Sequence, residues 1–417
     1  MPGLRSFNWS LKGIIASVGV GAVLAGALAV VVLARDDGPL PPCDLPSESE
    51  LHSTVEAATA WLERSLQSDG TYWYEYDRST DEFAPGYHDV RHSGVTMSLY
   101  QVAATSNPAV TSVGDMGREY IDDNLVTDGD LVAFGNPRLE LHLGATALVV
   151  AGLVHRRIAT GDTGDDDLLR SMGRWMQLAM RDDGGMWFGA RYTPNDDGGV
   201  FEPTVGKTST FYTGEAFWAF GLLANQFPDE GWDETARAVG HYIATERDIE
   251  EEIDDPPLAD QWSAYGFAEM REWGELEGDE LAYVRSLIDR YEGRLEREIR
   301  REAKRVGNGT GEPDETERQA RGAAFGTTVE ALSALWRLTT VEPGLADLDA
   351  EVRDDLVCGA AILVARQYDP TRAASWPRPE VVEGAWFRED VTRMDDQQHA
   401  MSGVLLAIDA LDAAGEG

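Results

Sequence analysis

The chain has 417 residues, 43% of them hydrophobic and 26% charged, an ordinary globular composition with enough apolar material for a large core. Its formal net charge of −39 excludes nucleic acid and anionic membrane surfaces as partners held by charge, because both would be repelled. Lysine occurs only at Lys12, Lys207 and Lys304, so arginine supplies nearly all the positive charge.

The first predicted element is apolar. Gly13 to Leu33 carries no charge and reaches the ~20 residues needed to cross a bilayer. Arg5 and Lys12 precede it, which predicts an N-terminus inside and the bulk of the chain outside. The run exceeds the usual signal-peptide core, so residues 13–34 are expected to stay as a transmembrane signal anchor behind a cytoplasmic segment at 1–12. Residues 35–50, rich in Pro, Asp, Glu and Ser, read as a tether, and residues 51–417 as one extracytoplasmic domain. The cysteines, Cys43 and Cys358, form no pair at metal spacing, so a thiolate zinc site is excluded. They are either a long-range disulfide, allowed outside the cell, or two unrelated thiols.

From Leu51 onward, helical segments of two kinds alternate. The polar, two-faced ones lie at 52–68, 111–125, 165–181, 232–247, 279–304 and 351–368. The apolar ones lie at 91–106, 140–159, 211–226, 260–273, 324–339 and 396–413. Each apolar segment follows a polar one, which gives six helical hairpins of about 50–60 residues. Half-buried helices alternating with buried ones close into a ring with the apolar set inside. The predicted class is therefore all-α, an (α/α)6 toroid, and no alternating βαβ pattern competes with it. Asp69-Gly70-x-x-Trp73, Asp128-Gly129 and Asp183-Gly184-x-x-Trp187 predict short β-hairpins at one rim.

The alternation, the Asp-Gly turns and the inner-helix openings Arg91-His92-Ser-Gly, Leu143-Gly144-Ala and Tyr212-Thr-Gly-Glu215-Ala resemble the six-hairpin glycosidase-like superfamily. Its members include glycoside hydrolases, polysaccharide lyases and sugar epimerases. The resemblance spans roughly residues 51–413 and implies the toroid fold; the reaction has to come from the site.

Inner helices that run in one direction bring their N-terminal ends to one mouth, and the polar residues there are candidates by position. The clusters in chain order are Tyr87-His88-Asp89 with Arg91-His92, then Arg138 with Glu140 and His142, then Tyr212 with Glu215. Asp260 with Trp262 and Tyr265 follows, then Glu317-Arg318 with Arg321, and last Arg393 with Asp395, Asp396, Gln398 and His399. Helix initiation explains an acid at each position, but not the repeated His, Arg, Tyr and Trp.

Glycoside cleavage needs two carboxyls on opposite sides of a bond. Glu215 and Asp395 or Asp396 stand three hairpins apart, hence across a closed ring, with Glu140 as a reserve acid. The adjacent Asp395-Asp396 pair would keep one carboxyl protonated. His92 and His399 are general-base candidates, with satisfied structural histidines as the plain alternative. Trp73, Trp187, Trp262 and Trp386 are candidate sugar platforms, each with a plain packing role as alternative. Arg91, Arg318 and Arg388 are candidate carboxylate forks, while Asp89 and His142 complete the binding set. No metal or cofactor motif occurs: P-loop, Gly-x-Gly-x-x-Gly, Gly-x-Ser-x-Gly and His-Glu-x-x-His are all absent.

These residues predict a membrane-anchored extracytoplasmic enzyme acting on a glycan or other small polar substrate, with glycoside hydrolysis first. Uronate lyase or epimerase chemistry, with Tyr212 or Tyr265 as base, comes next. A non-catalytic module that binds glycan or envelope protein is the alternative of another class.

Overall fold

Helices of two kinds alternate along the chain and differ in how much of each is buried. The computed structural model describes residues 39–195, 199–307 and 318–415; the apolar run from Gly13 to Leu33 and Glu317 lie outside them. Among the described residues, twelve helices have ten residues or more. They are α1 (Glu48–Ser65), α2 (Asp89–Thr105), α3 (Thr111–Asp123), α4 (Leu143–Thr160), α5 (Asp166–Leu178) and α6 (Tyr212–Gln226). The second half has α7 (Trp232–Thr245), α8 (Gln261–Met270), α9 (Gly278–Val306), α10 (Gly322–Val341), α11 (Asp349–Arg366) and α12 (Met394–Leu406).

The even-numbered helices form the inner ring. Each packs on the next, α2 on α4 through to α10 on α12, and α12 packs back on α2. In α6 every residue from Thr213 to Ala224 is buried, and in α4 every residue from Leu143 to Val154. The outer helix α3 buries only Val113, Gly114, Gly117 and Ile121, a single stripe at helical spacing. That contrast is the alternation seen in the sequence. At the N-terminal edge, α1 starts at Glu48, inside the expected tether. Ser47 caps it: the Glu50 N–H donates to Ser47 Oγ at 3.3 Å, and the Ser47 N–H donates to Glu50 Oε2 at 2.8 Å.

The rim strands are short. β1 (Glu75–Asp77), β2 (Glu82–Phe83), β3 (Leu125–Asp128), β4 (Leu131–Phe134), β5 (Glu140–His142), β6 (Gly189–Thr193), β7 (Val200–Pro203) and β8 (Val391–Arg393) make three antiparallel sheets. Their orders are β2-β1-β8, β3-β4 and β5-β6-β7. The β1–β8 pairing joins the first hairpin to the last.

Of the Asp-Gly turns, Asp128-Gly129 joins two strands, with Asp128 opposite Leu131, and Asp183-Gly184 is flanked by a single antiparallel bridge between Met180 and Met186. Two positive-φ turns also hold the outer ring together. Gly184 has φ +89° and lies so close to the Ala238 carbonyl on α7 that a side chain would overlap it. Gly384, at φ +85°, sits the same way on Ala57 of α1, so the turn after the last outer helix closes the circle onto the first. A disulfide joins Cys43, just before α1, to Cys358 on α11 across 315 residues, which settles the open pairing. Among the described residues, no helix is long and apolar enough to cross a membrane.

Candidate functional site

The opening turns of five inner helices meet at a cavity of about 650 Å³. Its wall includes Arg91 from α2, Glu215 from α6, Gln261 and Trp262 from α8, Ala323 and Ala324 from α10, and Asp395, Gln398 and His399 from α12; α4 adds Leu148. Exposed Phe211 and Arg297 belong to the same wall, so the cavity opens to solvent. Glycines at the helix starts make room for the polar groups. A side chain at Gly144 would overlap Glu215 Oε2, and one at Gly94 would overlap Gln398 Oε1. The small residues of Leu143-Gly144-Ala and Arg91-His92-Ser-Gly are therefore seats for a neighbouring helix's polar side chain.

Glu215 and Asp395 come from opposite helices of the ring and differ in surroundings. Glu215 is 4% exposed, and its Oε2 has no hydrogen-bond partner. Burial, with the Asp260 charge added, raises its pKa well above the ordinary carboxylate range, which favours the protonated form. Asp395 Oδ2 instead takes Arg91 Nε at 3.1 Å and an Arg393 guanidinium nitrogen at 3.0 Å. Two cations thus balance this carboxylate while its Oδ1 stays buried and unpartnered. Gln398 Nε2 and Arg393 Nε are unpartnered as well. So many unmet polar atoms around one cavity mark a place prepared for a polar ligand.

His399 is held from behind. Its Nδ1 lies 2.7 Å from Glu330 Oε2, which leaves Nε2 for the cavity. Burial opposes a charge on the ring, yet Glu330, Asp395 and Asp396 together raise its pKa above the ordinary imidazole value. Trp262 stands beside it at 5.7 Å between ring centroids and stacks on Trp218 at 5.5 Å.

Of the sequence candidates, Glu215, Asp395, His399, Arg91 and Trp262 line the cavity, together with Arg321, Arg393 and Gln398 from the same clusters, and the others do not. His92 is fully buried, its Nδ1 2.6 Å from the Tyr87 hydroxyl and its Nε2 2.9 Å from the Gly117 carbonyl. Asp396 is a capping group: its Oδ1 accepts from the Ala323 N–H at 2.9 Å and its Oδ2 from the Arg393 N–H at 3.0 Å. As expected for the acidic pair, one member has a raised pKa, but burial comes first among the causes and the raised member is Asp396. Tyr212 packs among Phe188 and His142, and Tyr265 stacks on Trp218 in the interior. Asp89 accepts from the Tyr120 hydroxyl at 3.2 Å, Glu140 is held by Lys207, and His142 lies against Phe188.

The remaining candidates are packing or rim groups. Trp73 meets Trp61 edge-on, Trp187 lies under Arg181, and buried Trp386 donates to the Leu363 carbonyl at 2.8 Å. Arg318 is exposed and paired with Glu389, and Arg388 bridges to Val391 through its backbone. Sequence reading missed Arg290, Arg294 and Arg297 on α9, and also Phe211. The arginines stand at i, i+4 and i+7 on a helix classed as outer. That spacing was the available signal.

No family model matches the chain, and no curated protein does. Solved structures do. A glycoside hydrolase family 76 α-mannanase of Bacteroides thetaiotaomicron is similar at a TM-score of 0.57 and 7% identity, over 88% of this chain and 97% of its own. Cellobiose 2-epimerase of Spirochaeta thermophila gives 0.56 and 12%, over the same shares. An unsaturated glucuronyl hydrolase specific for heparin gives 0.54 and 10%, over 89% of this chain and 99% of its own. At such identities the likeness bears on architecture alone, and the shared architecture is an (α/α)6 toroid.

Proposed function

We propose that the protein is a carbohydrate-active enzyme that hydrolyses glycosidic bonds, with Glu215 as general acid and Asp395 as the opposing carboxylate. One observation carries this reading: two carboxyl groups from opposite helices of the ring face one cavity, one buried with a raised pKa and the other ion-paired with two arginines. Glycoside cleavage uses such a split, because the leaving oxygen needs a proton while the sugar carbon, positive in the transition state, needs a negative neighbour. Glu215 would give its proton to the glycosidic oxygen. Asp395 would stabilise the developing positive charge and guide the incoming nucleophile. His399, with Glu330 behind it, keeps its proton to higher pH than a free imidazole and so adds a donor for a sugar hydroxyl.

A screen of oligosaccharides for new reducing ends tests the proposal. Wild type should turn over at least one glycan, and Glu215→Gln should bind that glycan with unchanged affinity and turn it over far more slowly. Equal turnover in both proteins would remove the assignment. A second reading, epimerase or lyase chemistry by proton abstraction, draws support from the oriented Nε2 of His399. An epimerase predicts solvent deuterium incorporated into the sugar ring and a lyase an unsaturated sugar product, neither of which hydrolysis produces.

The anchor belongs to the same proposal: residues 13–34 hold the enzyme at the cell membrane with its toroid outside. The Cys43–Cys358 disulfide supports an oxidising compartment. Alkaline extraction of membranes tests it, since an anchored chain stays with the lipid.

A further inference from the structure

The inner helix α8 has only ten residues, about 15 Å of helix, while its neighbour α9 runs for 29. By Arg290, α9 has travelled about 18 Å, more than the full length of α8. From there it reaches the cavity beside Leu258 and Ala259. Arg290, Arg294 and Arg297 stand on one face of α9 by their i, i+4 and i+7 spacing, and all three line the cavity. Arg91, Arg321 and Arg393 line it from the inner ring, so six guanidinium groups surround one opening of a chain whose net charge is −39.

Three carboxylates answer only part of that charge. Asp255 pairs with Arg290, Asp396 with Arg321, and Asp395 with Arg91 and Arg393. Among the described residues no carboxylate pairs with Arg294 or Arg297, and the buried Nε atoms of Arg290 and Arg393 have no hydrogen-bond partner. Burial and the charges of Arg290, Arg294 and Arg301 lower the Arg297 pKa, a sign of like charges held together. Such crowding is costly unless an anion arrives to relieve it, and guanidinium forks match carboxylate and sulfate oxygens two at a time.

We propose that the Arg290, Arg294 and Arg297 face of α9 is a subsite for an anionic group, so that the substrate is a sugar chain bearing carboxylate or sulfate rather than a neutral one. This rests on the reading of the cavity as a carbohydrate site. The acidic surface repels such a chain at long range, but screening over about 8–10 Å at ordinary salt leaves the local guanidinium cluster to decide.

Calorimetric titration of the full chain with three tetrasaccharides tests it: neutral mannotetraose, a non-sulfated uronate-containing chain, and a sulfated chain with reduced carboxyl groups. At least one anionic probe should bind about tenfold or more tightly than the neutral one, and that probe identifies the group recognised. Arg294→Gln with Arg297→Gln should remove the difference while leaving the melting temperature unchanged. Equal affinity for all three probes, or a double variant that keeps the preference, overturns the inference. Turnover is measured separately. Arginine-dependent binding without turnover would sink the enzymatic reading and leave this one standing; turnover of neutral chains alone would do the reverse.

Discussion

His92 and His399 both lie near the start of an inner helix, yet they stand at opposite ends of a physical scale. Each nitrogen of His92 has a protein partner, and burial lowers its pKa to about 3, so it stays neutral and structural. His399 has one nitrogen on Glu330 and faces a cavity with the other. Asp260 and Glu215 repeat the contrast between acids. Asp260 Oδ1 accepts from the Trp262 N–H at 3.1 Å and its Oδ2 from Arg247 at 2.7 Å and from Ser263. Glu215 keeps an oxygen with nothing bound to it. At the mouth of this ring, what separates support from chemistry is whether the protein itself satisfies the group.

The largest test of that contrast exchanges the two acids. Glu215→Gln should lower turnover by about 10²–10⁴-fold, the range typical for a general acid. It should also stabilise the fold at alkaline pH. The Glu215 pKa is raised in the folded state, so its stabilising contribution is complete below the unfolded value of ~4.5 and is lost as pH rises through the folded value. Glutamine stays neutral throughout, and urea denaturation at pH 5 and pH 8 should show the variant gaining on wild type at the higher pH. Asp260→Ala should do the opposite. It removes the carboxylate 2.7 Å from the fully buried Arg247 guanidinium and should cost about 3–5 kcal/mol of stability by the same measurement.

The histidines sharpen the comparison through opposite pH slopes. The His92 pKa is depressed on folding, so the unfolded chain takes up a proton first, and stability falls as pH drops from ~6.5 towards 3. The slope approaches about 1.4 kcal/mol per pH unit. His399 has a raised pKa, so its contribution is complete below ~6.5 and is lost as pH rises through the folded value. The destabilisation caused by His92→Phe should therefore shrink in acid, while that caused by His399→Phe should shrink in alkali. Parallel pH curves for the two variants would erase the distinction.

The ring itself was legible because burial writes itself into hydrophobic period. An inner helix such as α6 is apolar all round and an outer one such as α3 only along a stripe, and both segments were placed within a few residues. Much of the cavity was legible for a related reason, since helix direction sends every inner N-terminus to one mouth. Partners across the ring were not legible. Nothing next to His92 in sequence announces that Gly117, 25 residues on, offers it a carbonyl. Nor does the α9 sequence show that its neighbour is too short to cover Arg290, Arg294 and Arg297. The Asp-Gly turns carry more than the sequence shows: a positive-φ glycine serves a hairpin or a close backbone approach equally well, and at Gly184 it serves both.

The smallest effects concern the aromatics. Trp187 was a candidate sugar platform, but it lies under Arg181 and outside the cavity, so Trp187→Leu should cost about 1 kcal/mol of stability and leave KM unchanged. Phe211 is 43% exposed in the cavity wall, one residue before α6, where a ring can meet a pyranose face without any desolvation of the core. Phe211→Ala should raise KM several-fold, about 0.5–1.5 kcal/mol for a lost ring contact, with kcat and the melting temperature nearly unchanged. If the two variants trade these outcomes, the sugar does not enter past α6, and the wall facing Asp395 has been read from the wrong side.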